Sequence, residues 1–323
     1  MLVFRLDPSL DALRRLFPLD RLRFFALVFP FSFLKTNPAY RRLRAFDNGN
    51  RALVAPPSGP LALSYFNVLR LRAGESLTLT VPGCELLCVV LSGEADVTAA
   101  GRAFENVGRR AGIWDGPADS VYCGTHSPVT VRARRVGTEV AVAGGVCVGS
   151  FAPFRITPEE VEMVEVGSAA THSRRRIFHI LGQNAVRRAG NLLVSELFAD
   201  AGCWSGYPPH KHDTERPPEE TAFEEIYHYR FRPETGFGAQ FCYEEQAGVP
   251  DAATPQVVMT RHGDTFLVDR GYHPTVASPG HEAYIFTILV GAHQRSLVQS
   301  FEPQHRHLMA KIPGIDAMRD KFK

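Results

Sequence analysis

Hydrophobic and polar positions alternate with a period of two through most of the chain beyond residue 60. Phe66-Asn67-Val68-Leu69-Arg70-Leu71 opens the pattern, and short runs at 77–81, 86–91 and 95–98 follow. Ala73-Gly74, Pro82-Gly83 and Ser92-Gly93 punctuate them as turns. A second set begins near Arg175, with runs at 177–181, 192–198, 207–212, 225–230, 238–243, 257–260, 265–268, 273–277 and 283–290. Alternation puts neighbouring side chains on opposite faces of an extended backbone. Many short runs divided by Gly and Pro predict antiparallel strands in a barrel or sandwich. No long stretch with a 3.6-residue period follows residue 60, which argues against a helical architecture. The expectation is all-β, with two barrels of about ten strands each.

The texture divides the chain into 1–60, an N-terminal extension and linker; 61–165, a first barrel; 166–311, a second barrel; and 312–323, a tail. Thr157-Pro158-Glu159-Glu160 predicts a helical turn between the barrels, and the polar residues after Pro303 a short closing helix. Residues 36–60 carry Thr-Asn-Pro, Asp-Asn-Gly-Asn and Ala-Pro-Pro-Ser-Gly-Pro and read as a linker. Ahead of them, Arg14, Arg15, Arg21 and Arg23 precede an apolar run over 24–34 that contains Pro30. That run is too short and too interrupted to span a bilayer. Asp7, Asp11 and Asp20 and the lack of a small-residue cleavage site argue against a signal peptide. An extra helix over 10–17, capped by Ser9 and packed on the body or on another subunit, is the expectation.

Composition narrows the function classes. A chain of 323 residues that is 45% hydrophobic and 22% charged can bury the cores of two domains. Its formal net charge of +2 carries no nucleic-acid footprint. The six Cys form no C-x-x-C pair and read as small buried residues in a reducing, cytoplasmic compartment.

The candidate chemistry lies in the second set. His210 and His212 stand at i and i+2, so a strand would turn both to one face. Glu225 heads the next run, and His273 sits in Gly271-Tyr272-His273-Pro274. Three His and one Glu would hold a divalent transition ion and leave coordination positions open for substrate. Zn, Mn, Fe, Co and Ni all suit such a set. The first barrel has no matching ligands: Glu85 lies on a strand without His, and His126 lies in a Gly-Thr-His-Ser-Pro turn.

The order Gly206…His210-Lys211-His212, Glu225, then Gly263-Asp264…His273 resembles the two-motif signature of the cupin superfamily. The run Trp204-Ser205-Gly206-Tyr207-Pro208-Pro209-His210-Lys211-His212-Asp213 narrows the resemblance. With Glu224-Glu225-Ile226-Tyr227-His228-Tyr229-Arg230, Gly236-Phe237-Gly238-Ala239-Gln240 and Arg270-Gly271-Tyr272-His273-Pro274, it is similar to the 5-deoxy-glucuronate isomerases of bacterial myo-inositol catabolism. Twelve residues separate His212 from Glu225, a longer gap than most cupins have but like that of this family. Asp269 in place of Pro, Cys242, and Thr287 in place of Asn depart from the family pattern.

The resemblance implies a bicupin enzyme that converts 5-deoxy-D-glucuronate to 2-deoxy-5-keto-D-gluconate, an aldose–ketose isomerisation. It implies a metal-free first barrel and a metal-binding second one, with Zn the leading ion. Its partner is a small sugar acid, with no nucleic acid and no membrane, and bicupins often form homo-oligomers. Candidates to move the proton are Tyr227, Gln240 with a water, and Glu224. Alternation points Glu224 away from Glu225, which makes a salt bridge or a solvated carboxylate its simpler role. Arg270, whose guanidinium can grip a carboxylate with two N–H groups, and Lys211, at the rim, are the candidates to bind substrate. The competing readings are a 4-deoxy-5-keto-uronate isomerase, which has a shorter H-x-H to Glu spacing; a bicupin dioxygenase, which would need a large apolar pocket; and a non-catalytic sugar-binding bicupin.

Overall fold

The computed structural model describes residues 43–45, 48–57, 61–125, 127–244 and 255–321. The expected helix over 10–17, the apolar run over 24–34 and His126 lie outside them.

In the first half, five strands pair in the order Phe154–Ile156, Asp119–Gly124, Cys84–Ser92, Thr138–Val146, Ser64–Leu71. A second sheet pairs Ser76–Leu79, Val129–Ala133, Ala95–Ala99 and Arg102–Val107. Leu86, Cys88 and Val90 of the larger sheet meet Val97 and Val131 of the smaller in one apolar core.

The second half repeats this plan. Its large sheet runs Leu43–Arg44, Asp264–Val268, Phe223–Arg232, Glu282–Gly291, Leu192–Ala199, Arg175–Leu181, Glu162–Val166. Opposite lie a four-stranded sheet of Trp204–Ser205, Thr275–Ala277, Phe237–Cys242 and Gln256–Arg261, and a two-stranded pair of His210–Lys211 with Ser300–Phe301. The strand pairs of this half are antiparallel.

The two large sheets share a core. Phe66, Val68, Leu87 and Ala141 of the first half pack against Val194, Ile226, Phe286 and Ile288 of the second. The Phe223–Arg232 strand therefore has two buried faces. Tyr227, Tyr229 and Phe231 point into the second barrel, while Ile226 joins the core between the barrels.

Some boundaries differ from the sequence reading. Leu43–Arg44, within the expected linker, pairs with Asp264–Val268. Glu162–Val166 pairs with Arg175–Leu181, so the strands of the second half begin ahead of residue 166. This edge strand is exposed or half-buried except at Val166, so it carries no alternation to read. Of the run at 207–212 only His210–Lys211 is strand, because Pro208 and Pro209 have no N–H to donate to a ladder. The tail ends in a helix, Ile315–Asp320, whose Ile315 and Met318 pack into the second half.

Candidate metal centre

The large sheet of the second half builds one wall of the site by simple alternation. Arg175 and Ile177, Ser195 and Leu197, Glu225 and Tyr227, and Ile285, Thr287 and Leu289 line a narrow cavity of about 50 Å³. The register places Thr287 opposite both Ser195 and Tyr227, so one stripe of side chains crosses three strands. Ser205, His210, His212, Leu297, Gln299 and Met318 close the other side.

Three imidazoles converge there. One ring nitrogen from each of His210, His212 and His273 lies within 4.8 Å of the others. Glu225 Oε2 stands 3.1 Å from His212 Nε2 and 3.1 Å from His273 Nε2. Donor atoms bound to one Zn-sized ion at about 2.0–2.2 Å stand about 3 Å from their neighbours, so these distances fit.

Backbone carbonyls set the ring tautomers. His210 Nδ1 faces Pro208 O at 3.2 Å, His212 Nδ1 faces Phe223 O at 3.1 Å, and His273 Nδ1 faces Gly271 O at 2.8 Å. An Nδ1–H that donates outward leaves Nε2 bare and turned inward, the outer-shell arrangement of metal-ligating His. His273 Nε2 is buried and makes no hydrogen bond despite its closeness to Glu225. A buried ring nitrogen without a hydrogen is an orphan in a protein but a ligand for a metal.

Electrostatics point the same way. Burial, with His273 and His212 adding to it, pushes His210 down to about 3, so its ring stays neutral. Burial alone would raise Glu225, but the His212 and His273 rings against its carboxylate bring it down to about 2. Burial alone would lower His212, but its contact with the Glu225 carboxylate outweighs burial and raises it. A neutral His210 beside an ionised Glu225 is a state that metal binding needs. The residues present thus fit a divalent ion, and the cluster could hold one.

Two loops lock the ligands in place. Gly271 has φ +81°, and a Cβ there would stand 2.6 Å from Tyr243 O. Its N–H donates to Asp213 Oδ2 at 2.7 Å, which ties the late His turn to the end of the H-x-H run. Burial raises the Asp213 carboxyl, but the Gly271 N–H and the Lys211 ammonium outweigh it and hold it at about 2. The long gap before Glu225 is anchored by the fully buried Glu220, whose Oε1 accepts from Asp213 N, Thr214 N and Lys211 Nζ at 2.9, 3.0 and 2.8 Å. Trp204 stacks on Phe241 at 5.3 Å and packs against Tyr207.

The other sequence candidates divide. Tyr227 lies in the cavity wall, and burial with the neighbouring Glu225 carboxylate pushes its hydroxyl well up, so it keeps its proton. Glu224 is not in the cavity. It faces the first barrel and accepts from Ala62 N at 2.7 Å, Leu63 N at 3.0 Å and Ser64 Oγ at 2.7 Å. Gln240 is fully buried behind the ligands: Nε2 donates to His273 O at 2.8 Å, and Oε1 accepts from Tyr229 at 2.5 Å. Lys211 turns away and bonds Asp213 and Glu220 at 2.6 and 2.8 Å. Arg270 is largely exposed beside Glu244 and Asp269, outside the cavity lining. Geometry therefore removes Glu224 and Gln240 as proton carriers, and Lys211 and Arg270 as wall residues.

Sequence reasoning missed Arg175, Gln299 and Met318. Gln299 Nε2 lies 3.2 Å from His210 Nε2, beside the ligand atom. Arg175 is the first residue of an otherwise ordinary apolar strand, and only its burial inside the cavity marks it out. The lining is also more apolar than alternation suggested, with Ile177, Leu197, Ile285, Leu289, Leu297 and Met318 around the polar groups.

A family model described as KduI/IolB matches residues 40–308. The chain belongs to the KduI/IolB family. Among curated relatives of the family, a protein of Geobacillus thermodenitrificans named 5-deoxy-glucuronate isomerase is 32% identical, over 81% of this chain and 92% of its own. One of Lacticaseibacillus casei with the same name is 31% identical, over 72% of this chain and 83% of its own. The crystal structure of an IolB-like protein from Salmonella typhimurium LT2 superposes with TM-score 0.70 at 31% identity, covering 76% of this chain and 90% of that one. A Bacillus subtilis oxalate decarboxylase superposes with TM-score 0.54 at 13% identity, covering 87% and 86%, a likeness of fold alone. The all-β cupin architecture expected for this KduI/IolB member is therefore the one observed, and its relatives make it an isomerase.

Proposed function

We propose that this protein isomerises 5-deoxy-D-glucuronate to 2-deoxy-5-keto-D-gluconate, with a divalent ion held by His210, His212, Glu225 and His273. The observation that carries the reading is the meeting of Glu225 Oε2 with the Nε2 atoms of His212 and His273, each at 3.1 Å, inside the cavity. Relatives named for this activity, at about the same identity over most of both chains, support the substrate. Zn is the leading ion: the mixed N/O set suits it, and an isomerisation needs no change of metal oxidation state.

Aldose–ketose isomerisation moves a proton between neighbouring carbons and another between their oxygens. A bound divalent ion supplies a Lewis acid for the carbonyl end of the sugar. Tyr227 is the cavity's phenol and holds its proton at neutral pH, so its hydroxyl donates to a sugar oxygen and takes the proton back as the ketose forms. The Ser195, Ser205 and Thr287 hydroxyls and the Gln299 amide line the same space and can orient the sugar hydroxyls. Leu197, Ile285, Leu289 and Met318 keep water from the reacting carbons, which strengthens each polar contact inside.

Purified protein, stripped with chelator and reloaded with single ions, should isomerise 5-deoxy-D-glucuronate best with Zn. The reading fails if a fully loaded site gives no turnover. His210→Ala should lose bound metal by elemental analysis and activity together.

A further inference from the structure

We propose that Arg175 is the carboxylate receptor of the cavity, gripping the acid end of the sugar while the aldehyde end reaches the His210–His212–Glu225–His273 cluster. This assignment rests on the sugar-acid isomerase reading above.

Arg175 is 2% exposed and forms part of the cavity wall. Its Nη1 donates to Ser173 O at 3.0 Å and its Nη2 to Tyr207 O at 3.1 Å. Both partners are neutral, and no carboxylate among the described residues contributes to its electrostatic surroundings, which are Tyr227 and Cys203. Other buried arginines differ. Arg110 pairs with Glu196 at 2.5 Å and Arg230 with Glu139 at 2.7 Å. Arg295 also bonds only carbonyls, those of Gly182, Gly190 and Leu192, but it lies outside the cavity and in the field of Glu85.

A guanidinium has five N–H donors in a planar fork. Two carbonyls fix the orientation of this one and leave donors over, which is the preorganised state that suits a bidentate anion. A buried cation without a counter-ion is costly, and an incoming carboxylate offsets that cost at the moment of binding. Among the described residues Arg175 is also the one Arg or Lys that lines the cavity, since Lys211 and Arg270 are held by acids elsewhere. Burial brings its pKa down to about 10, which still leaves it charged at neutral pH. Tyr227, the proposed proton donor, shares its field. The acid end would thus sit beside the strand start, and the chain of sugar hydroxyls would cross toward the metal ligands past Ser195 and Thr287.

The test compares 5-deoxy-D-glucuronate with 5-deoxy-D-glucose, the neutral aldose with a hydroxymethyl group in place of the carboxylate. Wild-type enzyme should favour the acid by about a hundredfold in kcat/KM, the order expected for a buried charge-assisted pair. Arg175→Lys and Arg175→Met should raise KM for the acid by at least about tenfold and collapse that preference, with metal content little changed. A purely structural Arg175 would lower both substrates alike, and that result would overturn the assignment. Should neither variant fold, metal-free wild-type protein decides by calorimetry. Preference for D-glucuronate over D-glucose should persist without metal, and its loss sinks the proposal. If the loaded wild type turns over neither sugar, the isomerase reading fails. Arg175 is then judged by that calorimetric preference and its loss in Arg175→Met.

Discussion

Each ring of the His210–His212–His273 cluster has one nitrogen spent on a backbone carbonyl and the other turned inward. That division is decided by the carbonyls of Pro208, Phe223 and Gly271, which face away from the cluster's centre. Tyr227 follows the same logic of neighbours. It stands two residues from Glu225 on one strand, so alternation puts its ring in the wall, and the ionised carboxylate beside it makes loss of its proton costly. A phenol held this way donates rather than abstracts. Tyr227→Phe should therefore keep the metal and change KM little, while kcat falls by about 10²–10⁴, the span of a lost general acid. Unchanged turnover in a metal-replete Tyr227→Phe enzyme would assign the oxygen-side proton to another group.

At the scale of elements, the site is one strand read two ways. Odd positions of Phe223–Arg232 carry Glu225 and Tyr227 to the cavity. Even positions carry Glu224 to the backbone at 62–63 and the Ser64 hydroxyl, and Arg230 to Glu139 of the first barrel. This much was legible before any coordinates, because period two is written in the strand and the H-x-H spacing forces both rings to one face. Side-chain partners outside the alternation were not legible. Lys211, Gln240 and Arg270 have the right chemistry for substrate, but Glu220, the His273 carbonyl and Glu244 engage them, and no periodicity reports those contacts. Arg175 escaped for the opposite reason: it heads a strand whose pattern announces only core. The Gly271 turn is where element geometry sets ligand geometry. Gly271→Ala would meet the Tyr243 carbonyl at 2.6 Å in a left-handed conformation. His273 should move, metal affinity should drop by about 10–100-fold, as for other outer-shell lesions, and the fold should persist. Metal titration followed by circular dichroism separates the two effects, and unaltered affinity would remove the turn from the ligand scaffold.

Across the whole molecule, the first barrel supplies no described ligand, yet its polar residues are anchored in the second. Glu85 accepts from Gly190 N at 2.7 Å and Leu192 N at 2.9 Å, as well as from the Tyr122 hydroxyl at 2.6 Å. Arg110 forks onto Glu196, which also accepts from Tyr284 at 2.8 Å. Glu139 joins Arg230 at 2.7 Å and Arg70 at 3.2 Å. Glu196 and Tyr284 lie on strands that line the cavity from their other faces, so these ties hold the cavity wall against the first barrel. Removing one partner of a buried pair leaves an uncompensated charge, and Glu196→Gln should cost about 3–5 kcal/mol in chemical denaturation. Glu139 adds a pH signature. Burial would raise its carboxyl, but Arg230 and Arg70 outweigh burial and hold it below the ordinary 4.5. A depressed folded-state pKa contributes stability that is complete above the unfolded value and disappears as the pH falls through the folded one. Wild-type protein should therefore lose stability on acidification below about pH 4.5, where unfolded carboxylates begin to bind protons. Glu139→Gln should be less stable at pH 7 and show a shallower acid slope. Parallel pH–stability curves for the two proteins would mean that this pair does not couple the barrels.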